Sequence, residues 1–292
     1  MNIDNKNYLS RQIKFLALLC LLGSGPLFAF GIGISPTTVE MVVEPGSQHR
    51  QTITVQNVHK AKTLALTVGV ADWTLSETGE LELLAPGSFE YSAAEWVQFS
   101  PAFFSLGPGE TRQVQVDLSV PVKIDKTGER RMAILISTLL PSNDKRPDKS
   151  GVWNRYQVAS LFYVALPGAE EKPTVITSVA LQDKASLVPV VKFTAENPGN
   201  YHARLKGYLG LKNQEGKQVF KMPVDGVLTA KQTRSFKLPI KFDDNAFPAG
   251  EYKVDLQLVN SFSLDGKVRN QATLIKAEMP TITIVNPVVS LK

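Results

Sequence analysis

Hydrophobic and polar residues alternate along most of this chain, and the alternation has the short period of a strand. Val114, Val116, Leu118 and Val120 interleave with Gln113, Gln115, Asp117 and Ser119. A period of two sends the apolar side chains to one face of a strand and the polar ones to the other. Just ahead, Val97 and Phe99 alternate with Gln98 and Ser100 until Pro101 stops the run. Gly107-Pro108-Gly109 supplies turn chemistry between the two runs. Trp96–Pro121 therefore reads as strand, apolar corner (Phe103, Phe104, Leu106), tight turn, strand. One face is buried and one is wet, as in an antiparallel sandwich.

The rest of the chain follows the same grammar. Ile32–Val43 is an expected first strand that Pro36 interrupts, which puts it at an edge or makes it change sheets there. Thr52–Val58 and Thr63–Trp73 follow as strands, and Leu75–Glu95 reads as a small extra hairpin around Leu81, Leu83 and Leu84. Gly128–Leu140 is apolar on both faces, so it is expected at the centre of a sheet. Pro141–Ser150 is a polar loop, and Tyr156–Leu166 returns as a strand. Strands at this spacing without helical periodicity indicate an immunoglobulin-like sandwich. The proline-flanked stretch at 167–173 is the expected linker. Beyond it, strands are expected at Thr174–Gln182, Val188–Glu196, Ala203–Lys212, Gln218–Met222, Thr233–Ile240, Gly250–Asn260 and Gln271–Glu278, with a hairpin turn at Asp265-Gly266. The fold class is all-β. A first immunoglobulin-like β-sandwich spans 30–166 and a second spans 174–292.

The first 29 residues belong to neither. Lys6, Arg11 and Lys14 precede an apolar run from Phe15 to Leu22, and Leu27-Phe28-Ala29 offers a cleavage site. This is the layout of a cleaved signal peptide. The alternative, an anchor that stays attached, needs about 20 apolar residues to span a bilayer, and this run is shorter. Cys20 is the only cysteine and lies inside the apolar run, so cleavage leaves a chain without disulfides, thiol catalysis or thiolate metal sites. The net charge of +5 falls to +3 once Lys6, Arg11, Lys14 and Asp4 are removed. The remaining cations are scattered among acids, with no basic run interleaved with aromatics, so nucleic acid is not an expected partner.

Catalytic and metal-binding chemistry has little to stand on. His49, His59 and His202 are far apart in sequence and show no metal-ligand spacing. His49 and His59 read as surface residues, and His202 as surface or half-buried. No G-x-S-x-G, H-E-x-x-H or phosphate-binding loop is present. Glu80/Glu82 and Asp243/Asp244 read as solvated acids rather than a glycosidase pair. Trp73 and Trp96 border the extra hairpin and are expected to pack it onto the sheet, whereas Trp153 follows a charged loop and is the exposed tryptophan. Arg130-Arg131 is read as a charged strand entrance; the sharper alternative aims Arg131 into an interdomain cleft to bind a carboxylate. No enzyme activity, cofactor, metal or small-molecule substrate is expected.

Several segments carry a resemblance: I-S-P-T-T-V, T-I-T-V-Q-N-V, S-P-A-F-F-S-L-G-P-G-E-T-R-Q-V-Q-V, G-E-R-R-M-A-I-L-I-S-T and L-F-Y-V. In order and spacing over most of residues 32–166, they resemble the amino-terminal domain of the periplasmic pilus-assembly chaperones, the PapD-like family. E-N-P-G-N-Y-H and F-P-A-G-E-Y resemble second domains of related bacterial proteins. The resemblance implies a periplasmic location and a chaperone that lends an edge strand to a secreted fibre subunit, with two basic residues holding the subunit's terminal carboxylate. Carried over by position, those anchors fall on Thr38 and Ser160, neither of which is a cation. Arg130, Arg131 or Arg155 are the substitute cations. The partner-binding residues implied are Thr38, Arg131, Trp153, Arg155, Val158, Ser160 and Phe162. The alternative is a non-catalytic periplasmic binding or scaffold protein that kept the fold without pilin capture.

Overall fold

The computed structural model describes residues 31–139, 155–182, 189–240, 250–263 and 268–284. Apart from one short 3-10 turn at Ala94–Trp96, its elements are strands. The amino-terminal sandwich contains β1 (Ile32–Ser35), β2 (Thr38–Val42), β3 (Gln48–Asn57), β4 (Leu64–Leu75), β5 (Leu81–Leu84), β6 (Val97–Ser100), β7 (Phe103–Leu106), β8 (Thr111–Ser119), β9 (Glu129–Thr138) and β10 (Gln157–Ala165). One sheet runs β1-β3-β8-β6. The other runs β2-β10-β9-β4, with β5 and β7 on the far flank of β4. The alternating residues of β8 do what their period requires: Val114, Val116 and Leu118 are buried against Ile53 and Val55 of β3 and the inward faces of β4, β9 and β10. Each such side chain contributes about 1.5–3 kcal/mol by leaving water.

The chain changes sheets across Pro36. β1 pairs antiparallel with β3, and β2 then pairs parallel with β10. Two local expectations are corrected. The apolar corner is a strand: Phe103–Leu106 pairs with β4, burying Phe104 and Leu106 and leaving Phe103 outside. A strand of four residues is too short to show a period, with two adjacent phenylalanines in it. The extra hairpin, expected within Leu75–Glu95, takes its first strand from β4, which leaves the main sheet after Ala71. Tyr91–Ala93 takes its place beside β9, where Arg131 N–H donates to Tyr91 O at 2.9 Å and Ala93 N–H to Arg131 O at 3.0 Å. The freed end of β4 forms a two-stranded ribbon with β5. Trp73 fills the fork, fully buried, its indole N–H donating to Met132 O at 3.0 Å.

The second sandwich contains β11 (Val175–Gln182), β12 (Val190–Glu196), β13 (Ala203–Lys212), β14 (Gln218–Leu228), β15 (Thr233–Pro239), β16 (Gly250–Ser263), β17 (Val268–Ala272), β18 (Leu274–Ile275) and β19 (Thr281–Ile284). Its sheets are β15-β12-β11-β18 and β14-β13-β16-β17, with β19 on β16. Phe193 and Phe236 stack at 4.6 Å in a core shared with Ile176, Leu209, Leu211 and Leu256. The fourth expected strand of this half runs on to Leu228 rather than stopping at Met222, because β14 is an edge strand and Pro223 withholds no ladder hydrogen bond there. The last expected strand is split. The chain crosses after Ala272 from β16 to β11, and Thr273 Oγ1 marks the crossing by donating to Leu258 O at 3.1 Å. The expected loop at 141–150 and the turn at 265–266 lie outside the described residues.

Candidate functional site

β10 is covered unevenly. β9 pairs with its whole length, Gln157 to Ala165. On the other flank β2 pairs only from Leu161 onward. Among the described residues, no strand pairs with Gln157–Ser160 on that flank. The backbone parity is fixed at both ends. Leu161 N–H donates to Thr37 O at 2.9 Å and Ala165 O accepts from Val43 N–H, so the odd-numbered residues face the β2 side. Gln157 and Ala159 therefore present their N–H and C=O groups outward, ready for an added strand.

The residues expected to bind a partner are distributed around this edge. Thr38 is exposed and opposite Leu161, at the point where β2 begins. Ser160 is fully buried, and its hydroxyl donates to Pro36 O at 2.8 Å. This corrects its placement as a contact residue, since both its surface and its proton are committed internally. Phe162, at 1 % exposure, is likewise core and not contact. Val158 is half-buried against the core, and Arg155 is exposed where the described chain resumes. Trp153 lies outside the described residues.

Arg131 corrects both of its readings. It is 3 % exposed, so it is no charged entrance, and it does not reach into a cleft. Its guanidinium sits over the rings of Phe89 at 4.8 Å and Trp73 at 5.3 Å, with Nε and Nη1 making no hydrogen bond among the described residues. Loss of water pushes its pKa down, against the charges of Glu129, Tyr163 and Asp72. Arg130 is partly exposed and lies over Trp96 at 5.0 Å.

A second constellation was missed in the sequence. His202, expected near the surface, is fully buried where the two sandwiches meet. Its Nδ1 bonds Glu129 Oε2 and its Nε2 lies 3.4 Å from Glu40 Oε1, an ion-pair contact without hydrogen-bond alignment. Arg204 holds the same Glu40 oxygen, through Nε at 3.0 Å and through Nη2. Tyr163 and Tyr201 enclose the imidazole, with ring centroids 4.2 and 4.5 Å away. Burial alone would lower the His202 pKa, but the Glu129 carboxylate and Glu40 outweigh it and hold the imidazole above its ordinary value. Burial would raise Glu40, yet His202 and Arg204 bring it down to about 2. The cluster joins β2 and β9 to β13, so no spacing within one strand could have announced it. His59 is a further correction. It is buried, and its Nδ1 accepts from Ala61 N–H and Lys62 N–H, both at 2.9 Å.

No group of three or more metal-ligating side chains occurs among the described residues. No helix there is long and apolar enough to cross a membrane. Neither a family model nor a curated protein matches the sequence. Solved structures similar to the chain include fimbrial chaperones. One is a chain of the CsuC–CsuE chaperone–tip adhesion subunit pre-assembly complex of archaic chaperone-usher Csu pili from Acinetobacter baumannii, 12% identical over 84% of this chain and 99% of that one, TM-score 0.44. Others are the E. coli chaperone DraB (14% identity, 84% and 98%, TM-score 0.41) and the Pseudomonas aeruginosa CupB2 chaperone (12%, 83% and 100%, TM-score 0.40).

Proposed function

We propose that this protein is a periplasmic, non-catalytic chaperone-like protein that pairs the open edge of β10 with an extended segment of a secreted fibre subunit. The observation that carries this reading is the outward-facing backbone of Gln157 and Ala159, beside a β2 strand that begins only at Thr38. An unpaired edge is a template for another chain, and strand addition draws its affinity from such main-chain groups. Val158 and Arg155 flank the edge as side-chain contacts, and Thr38 lies at its closed end.

The test is co-production of the mature protein with a subunit exported from the same cells. Capture at equal amounts is expected, and Ala159→Pro is expected to abolish it without unfolding the sandwich, because the lost N–H faces the open flank. Undiminished capture by Ala159→Pro would remove the edge from the mechanism.

A second reading is a periplasmic scaffold that does not capture subunits. One observation favours it: Ser160, at an implied anchor position, has its hydroxyl closed onto Pro36 and offers nothing to a terminal carboxylate. Under that reading no subunit is retained by the wild-type protein.

A further inference from the structure

β5 is an open edge of a different character. Its four residues are all exposed, including Leu81 at 44 %, Leu83 at 38 % and Leu84 at 39 %. β4 pairs with one flank, and among the described residues no strand pairs with the other. Ser76 N–H donates to Glu80 O at 2.9 Å, and this bond sets the parity of the ribbon: the backbone groups of Glu80, Glu82 and Leu84 face β4. Leu81 and Leu83 consequently turn their N–H and C=O groups outward.

This edge is held at both ends. At its base Asp72 accepts from Phe89 N–H at 2.8 Å and from Ser92 Oγ at 2.5 Å. At its tip Gln232 Nε2 donates to Leu75 O at 2.7 Å and Ser235 N–H to Glu77 O at 2.7 Å, both from the second sandwich. Gly79 lets the tip approach closely: at φ +90°, a Cβ there would lie 1.8 Å from Arg234 Nη2. An edge fixed in advance loses little freedom when a partner docks.

Its charge selects the partner. From Thr63 to Thr111 there is no lysine, arginine or histidine, although the chain as a whole has 32 lysines and arginines against 27 acids. Asp72 is occupied internally and Glu90 pairs with Lys126. Glu80 and Glu82 are exposed and in no ion pair among the described residues. Along the strand, Leu81 and Leu83 lie on one face and Glu82 on the other.

We propose that β5 is a second strand-docking edge, which takes an extended protein segment of alternating basic and apolar residues. The main chain pairs with Leu81 and Leu83, the apolar side chains lie against those leucines, and the basic ones face Glu82 and Glu80. This site is separate from the β10 edge and does not depend on it.

The test is binding of a short end-capped peptide of alternating lysine and valine, measured by titration calorimetry, beside a peptide of the same composition with a central proline. The alternating peptide should bind and the proline peptide should not. Leu83→Pro removes an outward N–H and leaves the β4 ladder intact, and it should weaken binding at least about tenfold. Glu80→Lys with Glu82→Lys should do the same and, as surface changes, keep the test valid should Leu83→Pro fail to fold. Ala159→Pro should leave binding unchanged. The proposal is overturned by absence of binding, by equal binding of the charge-reversed protein, or by loss of binding in Ala159→Pro. It is also overturned by a concentration-dependent dimer that Leu83→Pro abolishes, which would give the edge to a second copy.

Discussion

At the scale of single residues, burial decided what chemistry could not. Ser160 and Thr38 are both small hydroxyl residues, but one is sealed and the other is open. Ser160→Lys should cost several kcal/mol, on the order of burying an unpaired charge, whereas Thr38→Lys should stay within about 0.5 kcal/mol. Urea unfolding of the two variants separates them. Two asparagines make a similar case. Asn57 Nδ2 donates to Lys62, Leu106 and Gly107 carbonyls at 2.7, 3.0 and 3.0 Å, and its Oδ1 accepts from His59 N–H at 2.9 Å. Asn197 plays the same part in the second sandwich, bonding Tyr201 O, Thr229 O and Gly199 N–H. Asn57→Ala leaves these buried groups unpaired and should cost about 3 kcal/mol, measurable as a fall in unfolding midpoint. Neither asparagine stands out in the sequence: Asn57 closes a strand run and Asn197 precedes Pro198-Gly199. Each ties its own turn to a distant one, Asn57 through the Leu106 and Gly107 carbonyls and Asn197 through Thr229 O, and no local pattern announces those partners.

At the scale of elements, the sequence was most legible where alternation was long. β8, β9, β10 and β13 lie where their periods place them, and the proline at 36 marks a real change of sheet. It was least legible where a strand was short or where pairing overrode propensity, as in β7, the far end of β14, and β18. The candidate site was half legible. That β10 forms a strand follows from its pattern, but that its first four residues have no strand paired on one flank among the described residues follows from where β2 starts, which the pattern of β10 cannot encode. The ribbon of β4 and β5 yields a prediction at this scale. Gly79→Ala must push Arg234 aside and strain a backbone at φ +90°, so it should loosen the contact between ribbon and second sandwich. Faster amide exchange at Ser235 is the expected sign, since that N–H donates to Glu77 O.

At the scale of the whole molecule, the two sandwiches are joined by a charged clasp whose strength depends on pH. His202 has its pKa raised by Glu129 and Glu40, so the stability it contributes is fully present below its ordinary value of 6.5 and is lost as pH rises through the higher folded-state value. Glu40 has its pKa lowered from 4.5 to about 2, so its contribution is present above 4.5 and is lost as pH falls toward 2. Arg204 and Arg131 stay charged throughout, and Tyr163 and Tyr201 are pushed up by burial. Scanning calorimetry across pH should show a plateau with two falling limbs, and His202→Gln should remove the alkaline limb while retaining the acid one. The clasp keeps the second sandwich beside the β10 sheet, but the proposed capture takes place at the edge itself. The most direct measurement is amide hydrogen exchange of the wild-type protein, free and with a captured subunit. Slowed exchange at the Gln157 and Ala159 amides on capture is predicted. A complex that forms while both amides exchange at their free rates would contradict strand pairing at β10.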